Sequence, residues 1–413
     1  MSTLAINLER LKSDLLSLFE IGYNPETKGV TRLGFTEADT RAKQWLKERF
    51  EHEGFWSYID QAGNVVGRAK AEQPSQVVAT GSHIDSVISG GMFDGTLGVL
   101  AGLEVLRVLR DHDITPATPV EVYAFSEEEG RFGGMMGVQA LIGELTPDWL
   151  MSAHDVNGVK LQDEMRACGL DPMRALEARV DPGYFKSYIE LHIEQGPVLD
   201  TIRKPIGVVE SISGVYKWIV RLIGKSNHAG TAPMNMRSDA FMGLANFANE
   251  IPRIIAEEGS DKSRLTVGKV DLKPGHAHTV PGEVEFTLVG RDTDCDVMQA
   301  LADSCRKVLS AIARKHNLMF EFEQMSWLEP QPMSDTIIKL IAEQATRLDL
   351  PHEHMPSGAG HDAQHMAKVT QAGMIFVPSV NGISHAPDEW THWQDIEKGA
   401  NVLLHSLHKL ATE

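Results

Sequence analysis

The apolar run Val77-Val-Ala-Thr80 opens into Gly81-Ser-His-Ile-Asp85, continues to Gly90-Gly-Met-Phe-Asp-Gly95, and passes into a helical apolar pattern at Leu97, Leu100, Ala101, Val105 and Val108. A strand, a polar loop and a helix in that order form part of a βα unit, and such units assemble into α/β sheets. Ligands of these sheets bind beyond the carboxyl ends of the strands. His83, Asp85 and Asp94 therefore lie where a site would form. The loop holds no Lys or Arg, which favours a cation over a phosphate. Taken alone, it fits a polar turn as well as a metal site. Gly90, Gly91 and Gly95 read as the residues that let its backbone turn tightly.

The same character recurs. Val120-Glu-Val-Tyr-Ala-Phe125 reads as a strand and ends in Ser126-Glu-Glu-Glu-Gly130. Tyr188–Leu191 ends in His192-Ile-Glu-Gln-Gly196, and the apolar run Gly373–Val377 precedes Gly382-Ile-Ser-His-Ala-Pro387. Three consecutive carboxylates repel one another and ordinarily mark a solvated helix start. Placed directly after a strand end, Glu127–Glu129 are better explained by a cation. Strands alternate with helices such as Thr96–Arg110, which predicts a mostly parallel sheet with helices on both faces and its strand ends gathered on one edge.

Two further amphipathic patterns precede this core. Met1–Glu20 carries Leu4, Leu8, Leu11, Leu15 and Leu18 at helical spacing, interrupted by charges, so it is neither a signal peptide nor a membrane span. Thr36-x-x-Asp39 reads as an N-cap before Ala42, Leu46 and Phe50. Near Gly214 the register changes. Strands around 216–223, 265–272, 284–291 and 318–324 alternate with helices around 240–256 and 297–316 in the order βαββαβ, a ferredoxin-like unit. Pro330-Gln-Pro332 reads as a linker. The 413 residues exceed one ordinary domain. The expected organisation is a discontinuous α/β domain, 1–213 with 330–413, carrying an inserted domain, 214–329.

A net charge of -18 argues against nucleic acid or an anionic membrane as partner. Three scattered cysteines make a disulfide framework unlikely and a cytoplasmic setting the expectation.

Seven ordered segments resemble one known family. They are Gly81-Ser-His-Ile-Asp-Ser86, Gly90–Gly95, Glu127-Glu-Glu-Gly130, Leu191-His-Ile-Glu-Gln-Gly196, Ser226-Asn-His-Ala-Gly-Thr-Ala-Pro-Met234, Ser357-Gly-Ala-Gly-His-Asp362 and Ser384-His-Ala-Pro387. Together they resemble the M20 metallopeptidases, and more narrowly their hydantoinase/carbamoylase branch, because His192 stands where true peptidases usually place an acid. The resemblance implies a dinuclear centre of Zn, Mn, Co or Ni. Asp94 would bridge the two ions, with His83 and His192 completing one site and Glu129 and His385 the other. It implies Glu128 as general base, Asp85 as the acceptor that orients His83, and Glu127 as a support behind the ligands. It implies His228, brought from the partner subunit of a homodimer, as oxyanion donor, and Arg291 as grip for the substrate carboxylate. Gln195, His278 and the turn Gly358-Ala359-Gly360 would complete the substrate pocket. The inserted domain would serve as lid and dimerisation module.

The implied reaction is hydrolysis of the carbamoyl C–N bond of an N-carbamoyl-L-amino acid to the amino acid, CO2 and ammonia. Allantoate, ureidoglycolate and β-ureidopropionate are alternative substrates. A deacylase or exopeptidase of the same family, or a metal-binding homologue without catalysis, are the rival readings. The chain departs from the branch pattern twice. His278-Thr-Val-Pro281 replaces the usual Asn-x-Val/Ile-Pro, and Glu129-Gly-Arg-Phe132 is one residue shorter than usual. Both bear on the substrate rather than the metals.

Overall fold

The structure is a computed structural model that describes residues 4–70, 72 and 74–412. Met1–Thr3, the start of the first amphipathic pattern, lie outside the described residues; its helix runs Leu8–Phe19. The chain forms two compact units, Met1–Glu210 with Met333–Glu413, and Ser211–Pro332.

The first unit is a mixed α/β layer structure. Its sheet runs in the order Ile206–Ile212, Gln371–Val377, Phe185–Ile193, Val77–His83, Val120–Phe125, Val65–Arg68, Trp56–Ile59. The four strands from 371–377 to 120–125 pair in parallel. They are apolar almost throughout and buried on both faces, the expected pattern for parallel strands under helices. Helix Thr96–Asp111 is buried from Thr96 to Leu109, and Trp393–Thr412 packs beside it in the same core. Thr36 caps Glu37–His52 as its spacing predicts.

The expectation of a mostly parallel sheet needs correction. Trp56–Ile59 pairs antiparallel with Val65–Arg68, which pairs antiparallel with Val120–Phe125, and Ile206–Ile212 is antiparallel to Gln371–Val377. The cause is local. The tight turn at Asp60–Asn64, held by Asp60 accepting from the N–H groups of Ala62 and Asn64, can only reverse the chain. Parallel pairing is confined to the centre of the sheet.

The second unit is a four-stranded antiparallel sheet, in the order Arg264–Lys273, Glu283–Asp292, Gly214–Ile223, Met319–Leu328. Helices Ala240–Glu258 and Cys295–Lys315 follow the first and third strands in sequence. Burial alternates strictly along 283–292, so one face meets the helices through Phe247, Phe286 and Leu301. Ser211 and Ile212 pair with Pro332 and Gln331, so the segment read as a linker is a short strand. Among the described residues no helix is long and apolar enough to cross a membrane.

Candidate metal centre

The carboxyl ends of the parallel strands deliver one group each. His83 is the last residue of Val77–His83, Glu128 and Glu129 follow Val120–Phe125, His192 ends Phe185–Ile193, and His385 follows Gln371–Val377. Asp94 comes in from the loop before helix Thr96–Asp111. Gly95 adopts φ 65°, and a Cβ there would lie 2.5 Å from the His83 ring, so glycine alone lets the helix start beside that imidazole. The side chains close around a cavity of about 180 Å³ lined by His83, Asp94, Glu128, Glu129, His192 and His385 among others, with no Lys or Arg in its wall.

Asp94 is the hub. Its Oδ1 lies 3.1 Å from His192 Nε2 and 3.5 Å from His83 Nε2. Its Oδ2 lies 3.1 Å from His385 Nε2, which is 3.4 Å from Glu129 Oε2. Of the four three-residue donor groups among the described residues, two contain Asp94, His83–Asp94–His192 and Asp94–Glu129–His385; Glu128 joins His83 and Glu129 in a third, and Glu190, His192 and His361 form the fourth. Nδ1 of His192 lies 2.8 Å from the Ile193 carbonyl, and Nδ1 of His83 lies 3.1 Å from that of Asp85. With Nδ1 donating there, each ring presents its Nε2 to the centre, where the Gly95 N–H also reaches that of His192 at 3.1 Å.

Burial penalises the Asp94 carboxylate, but hydrogen bonds from His192, His385 and His83 hold it well below the usual range. Burial raises Glu128 well above its ordinary value, reinforced by Glu129 and Asp362 against the opposing pull of His83. Burial and Asp94 push Glu129 up to about 7. Burial lowers His83, yet Glu128 and Asp94 carry it well above the ordinary value for histidine. So much acid without a fixed cation is costly. A dication would lower Glu129 and His83 again and reinforce the Asp94 carboxylate, because ligands bind as carboxylate and neutral imidazole. Glu129 Oε1 is buried with no hydrogen-bond partner, an oxygen that an ion would satisfy. Three imidazoles with carboxylate oxygens suit Zn, Mn, Co or Ni. The residues fit divalent cations.

The model of peptidase family M20/M25/M40 matches residues 79–409. The chain belongs to that family. This M20 chain is 39% identical to an N-carbamoyl-L-amino acid amidohydrolase of Geobacillus stearothermophilus, over 98% of both chains. It is 36% identical to the allantoate amidohydrolase of Escherichia coli K12, again over 98% of both. A crystal structure of an amidase of the hydantoinase/carbamoylase family from Burkholderia multivorans superimposes with a TM-score of 0.91 at 34% identity, over 99% of each chain.

Several groups of this M20 chain behave differently from the sequence expectation. The acceptor nearest His83 Nδ1 is the carbonyl of Asp85, not its carboxylate, which stands 3.8 Å away. The Asp85 carboxylate instead accepts from the backbone N–H groups of Glu128 (3.3 Å) and Glu129 (3.2 Å), so it aims those two acids. Glu127, at φ 56°, accepts from Phe132 N (2.5 Å) and Gly134 N (3.2 Å) and closes the shortened loop. Gln195 donates Nε2–H to Asp94 Oδ2 at 2.8 Å. In the turn Gly358–Gly360, Ala359 and Gly360 line the cavity, but the Ala359 N–H is already bonded to Ser357 Oγ. His361 stands just before helix Asp362–Met366, and its side chain makes no capping hydrogen bond. The His361 ring meets His192 edge-on at 4.5 Å, and neither Asp362 oxygen has a hydrogen-bond partner.

His228, His278 and Arg291 belong to the second unit. Asn227–His228 pairs with Thr279–Val280, and Ala229 N donates to the His278 carbonyl at 2.9 Å, so His228 and His278 share one exposed two-stranded ribbon. Arg291 is half-buried near the end of strand Glu283–Asp292. Of the acids near it in sequence, Asp292 accepts from Ser260 and Ser263, and Asp294 caps Cys295–Lys315. Sequence reasoning missed Glu389, which is buried behind Asp94. Its only signal was an acid four residues beyond His385.

Proposed function

We propose that this chain is a dinuclear-metal amidohydrolase that cleaves the carbamoyl C–N bond of a ureido carboxylate, with N-carbamoyl-L-amino acids as the first substrate class. The observation that carries this reading is Asp94, whose two oxygens face two separate three-donor sets. His83 and His192 serve one ion and Glu129 and His385 the other. Two divalent ions held there would supply Lewis acidity toward the ureido carbonyl.

The chain's own residues do the rest. Glu128, aimed by Asp85 through its backbone N–H, takes the proton of the attacking water and delivers it to the leaving nitrogen. The inserted domain 214–329, between 1–213 and 330–413 and inside the Ser211–Pro332 unit, is a ferredoxin-like lid that also dimerises. From it, His228 of one protomer donates to the oxyanion formed in its partner, and Arg291 grips the substrate carboxylate bidentately. Gln195, His278 and the Gly358–Gly360 turn contact the remaining polar groups. The products are the amino acid, CO2 and ammonia. A cytoplasmic enzyme suits three cysteines that are all free thiols.

The second reading is allantoate as substrate, favoured by the full-length likeness to an allantoate amidohydrolase. One assay separates the readings: ammonia release from N-carbamoyl-L- and D-amino acids, allantoate, ureidoglycolate and β-ureidopropionate by protein loaded in turn with Mn, Co, Ni or Zn. Release from the L-carbamoyl compounds above all others supports the first reading, and release from allantoate alone the second. Binding without release from any of them would leave a non-catalytic homologue.

A further inference from the structure

Glu389 is 3% exposed and faces three donors. Its Oε1 accepts from the backbone N–H groups of Phe93 (2.9 Å) and Asp94 (3.2 Å), and its Oε2 accepts from Ser384 Oγ (2.9 Å). Ser384 precedes His385. One carboxylate therefore fastens the loop that carries Asp94 to the loop that carries His385. Room for it comes from Gly91, whose φ is not positive. A Cβ at 91 would lie 2.2 Å from the Glu389 carboxyl, so glycine is needed there for space and not for the turn.

The Ser384 hydroxyl has a single proton and two carboxylates within reach. Asp94 Oδ2 lies 3.2 Å away and Glu389 Oε2 only 2.9 Å. The proton goes to the nearer acceptor, while Gln195 Nε2 supplies a donor to Ser384 Oγ at 3.3 Å and to Asp94 Oδ2 at 2.8 Å. Asp94 Oδ2 is left with a lone pair toward His385.

We infer that Glu389 is a positioning residue of the metal centre: it anchors the Asp94 backbone and draws the Ser384 proton away, so that Asp94 Oδ2 can ligate an ion on the His385 side. This rests on Asp94 and His385 being ligands. Glu389→Gln is the informative change. The amide oxygen must stay on the two N–H donors, so the –NH2 group faces Ser384 and turns the hydroxyl proton onto Asp94 Oδ2. Groups that orient metal ligands are typically worth about 10–100-fold in affinity.

The test is equilibrium dialysis against Zn2+ or Mn2+ with metal analysis, on wild type, Glu389→Gln, Ser384→Ala and the double variant, each checked by thermal melting. Glu389→Gln should weaken one of the two metal equivalents about 10–100-fold. Ser384→Ala should hold both as wild type does. The double variant should regain the lost equivalent, because no proton remains to be misdirected; a purely structural role for Glu389 would give no such rescue. Wild-type binding by Glu389→Gln, a double variant no better than Glu389→Gln, or weakened binding by Ser384→Ala alone each overturns the inference. The last of these applies even if Glu389→Gln fails to fold. Should wild type itself take up no divalent ion, the metal-centre reading falls first.

Discussion

Glu128 Oε2 stands 3.6 Å from His83 Nε2, inside a buried pocket shared with Glu129, yet it belongs to neither donor set that contains Asp94. It joins His83 and Glu129 in a further group, but the two sets that share Asp94 are complete without it, which leaves Glu128 for proton transfer in the proposed reaction. Glu128→Gln should therefore lower ammonia release by about 10²–10⁴-fold while both metal equivalents remain, as checked by turnover and metal content on the same sample. Gly91→Ala should act differently. The added methyl would collide with a carboxyl pinned by three donors, so metal retention and melting temperature should fall together, whereas Ala at the exposed Gly158, where nothing lies within 4 Å, should leave metal retention unchanged. The positions of His83, Glu129 and His192 could be read from strand ends, and those of Asp94 and His385 from motif order in the loops that follow. Glu389 and the real task of Asp85 could not. Both act through backbone N–H groups far away in sequence, and spacing carries no trace of such partners.

Among the elements, helices Leu8–Phe19, Glu37–His52 and Thr96–Asp111 are tied by a buried charge network. Arg107, with no exposed surface, bonds Asp14 (2.5 Å), Glu53 (3.0 Å) and, more distantly, Glu104 (3.4 Å). Asp14 and Glu104 are themselves bonded by Arg49 and Arg10. Arg107→Met would leave buried acids short of their cation and should cost about 3–5 kcal/mol of stability, seen as a lower urea midpoint with an unchanged slope. An equal midpoint would show that Arg10 and Arg49 suffice. Strand Val120–Phe125 was legible because only Glu121 interrupts its apolar run, and helix Ala240–Glu258 because its apolar residues recur at helical spacing over a long stretch. Strand Ile206–Ile212 and the helices Met136–Ile142 and Leu161–Ala167 were not. The strand is interrupted by Gly207 and Glu210, and each helix is only seven residues long, too short to display a period. Pairing direction was misjudged at the sheet margins, where turn length and not composition decides.

At the scale of the whole molecule, two units divide the work: the α/β unit gathers the acids and imidazoles, and the antiparallel unit carries His228, His278 and Arg291. Everything proposed for the chemistry depends on Asp94 serving two ions at once. The direct measurement is metal stoichiometry per chain by dialysis and elemental analysis, for wild type and for Asp94→Asn, with folding of both verified. Wild type should bind two divalent ions, and Asp94→Asn, with one ligand oxygen replaced by –NH2, should lose at least one and hold the other more weakly. A single ion in wild type, or two ions held with wild-type affinity by Asp94→Asn, would contradict a centre bridged by Asp94.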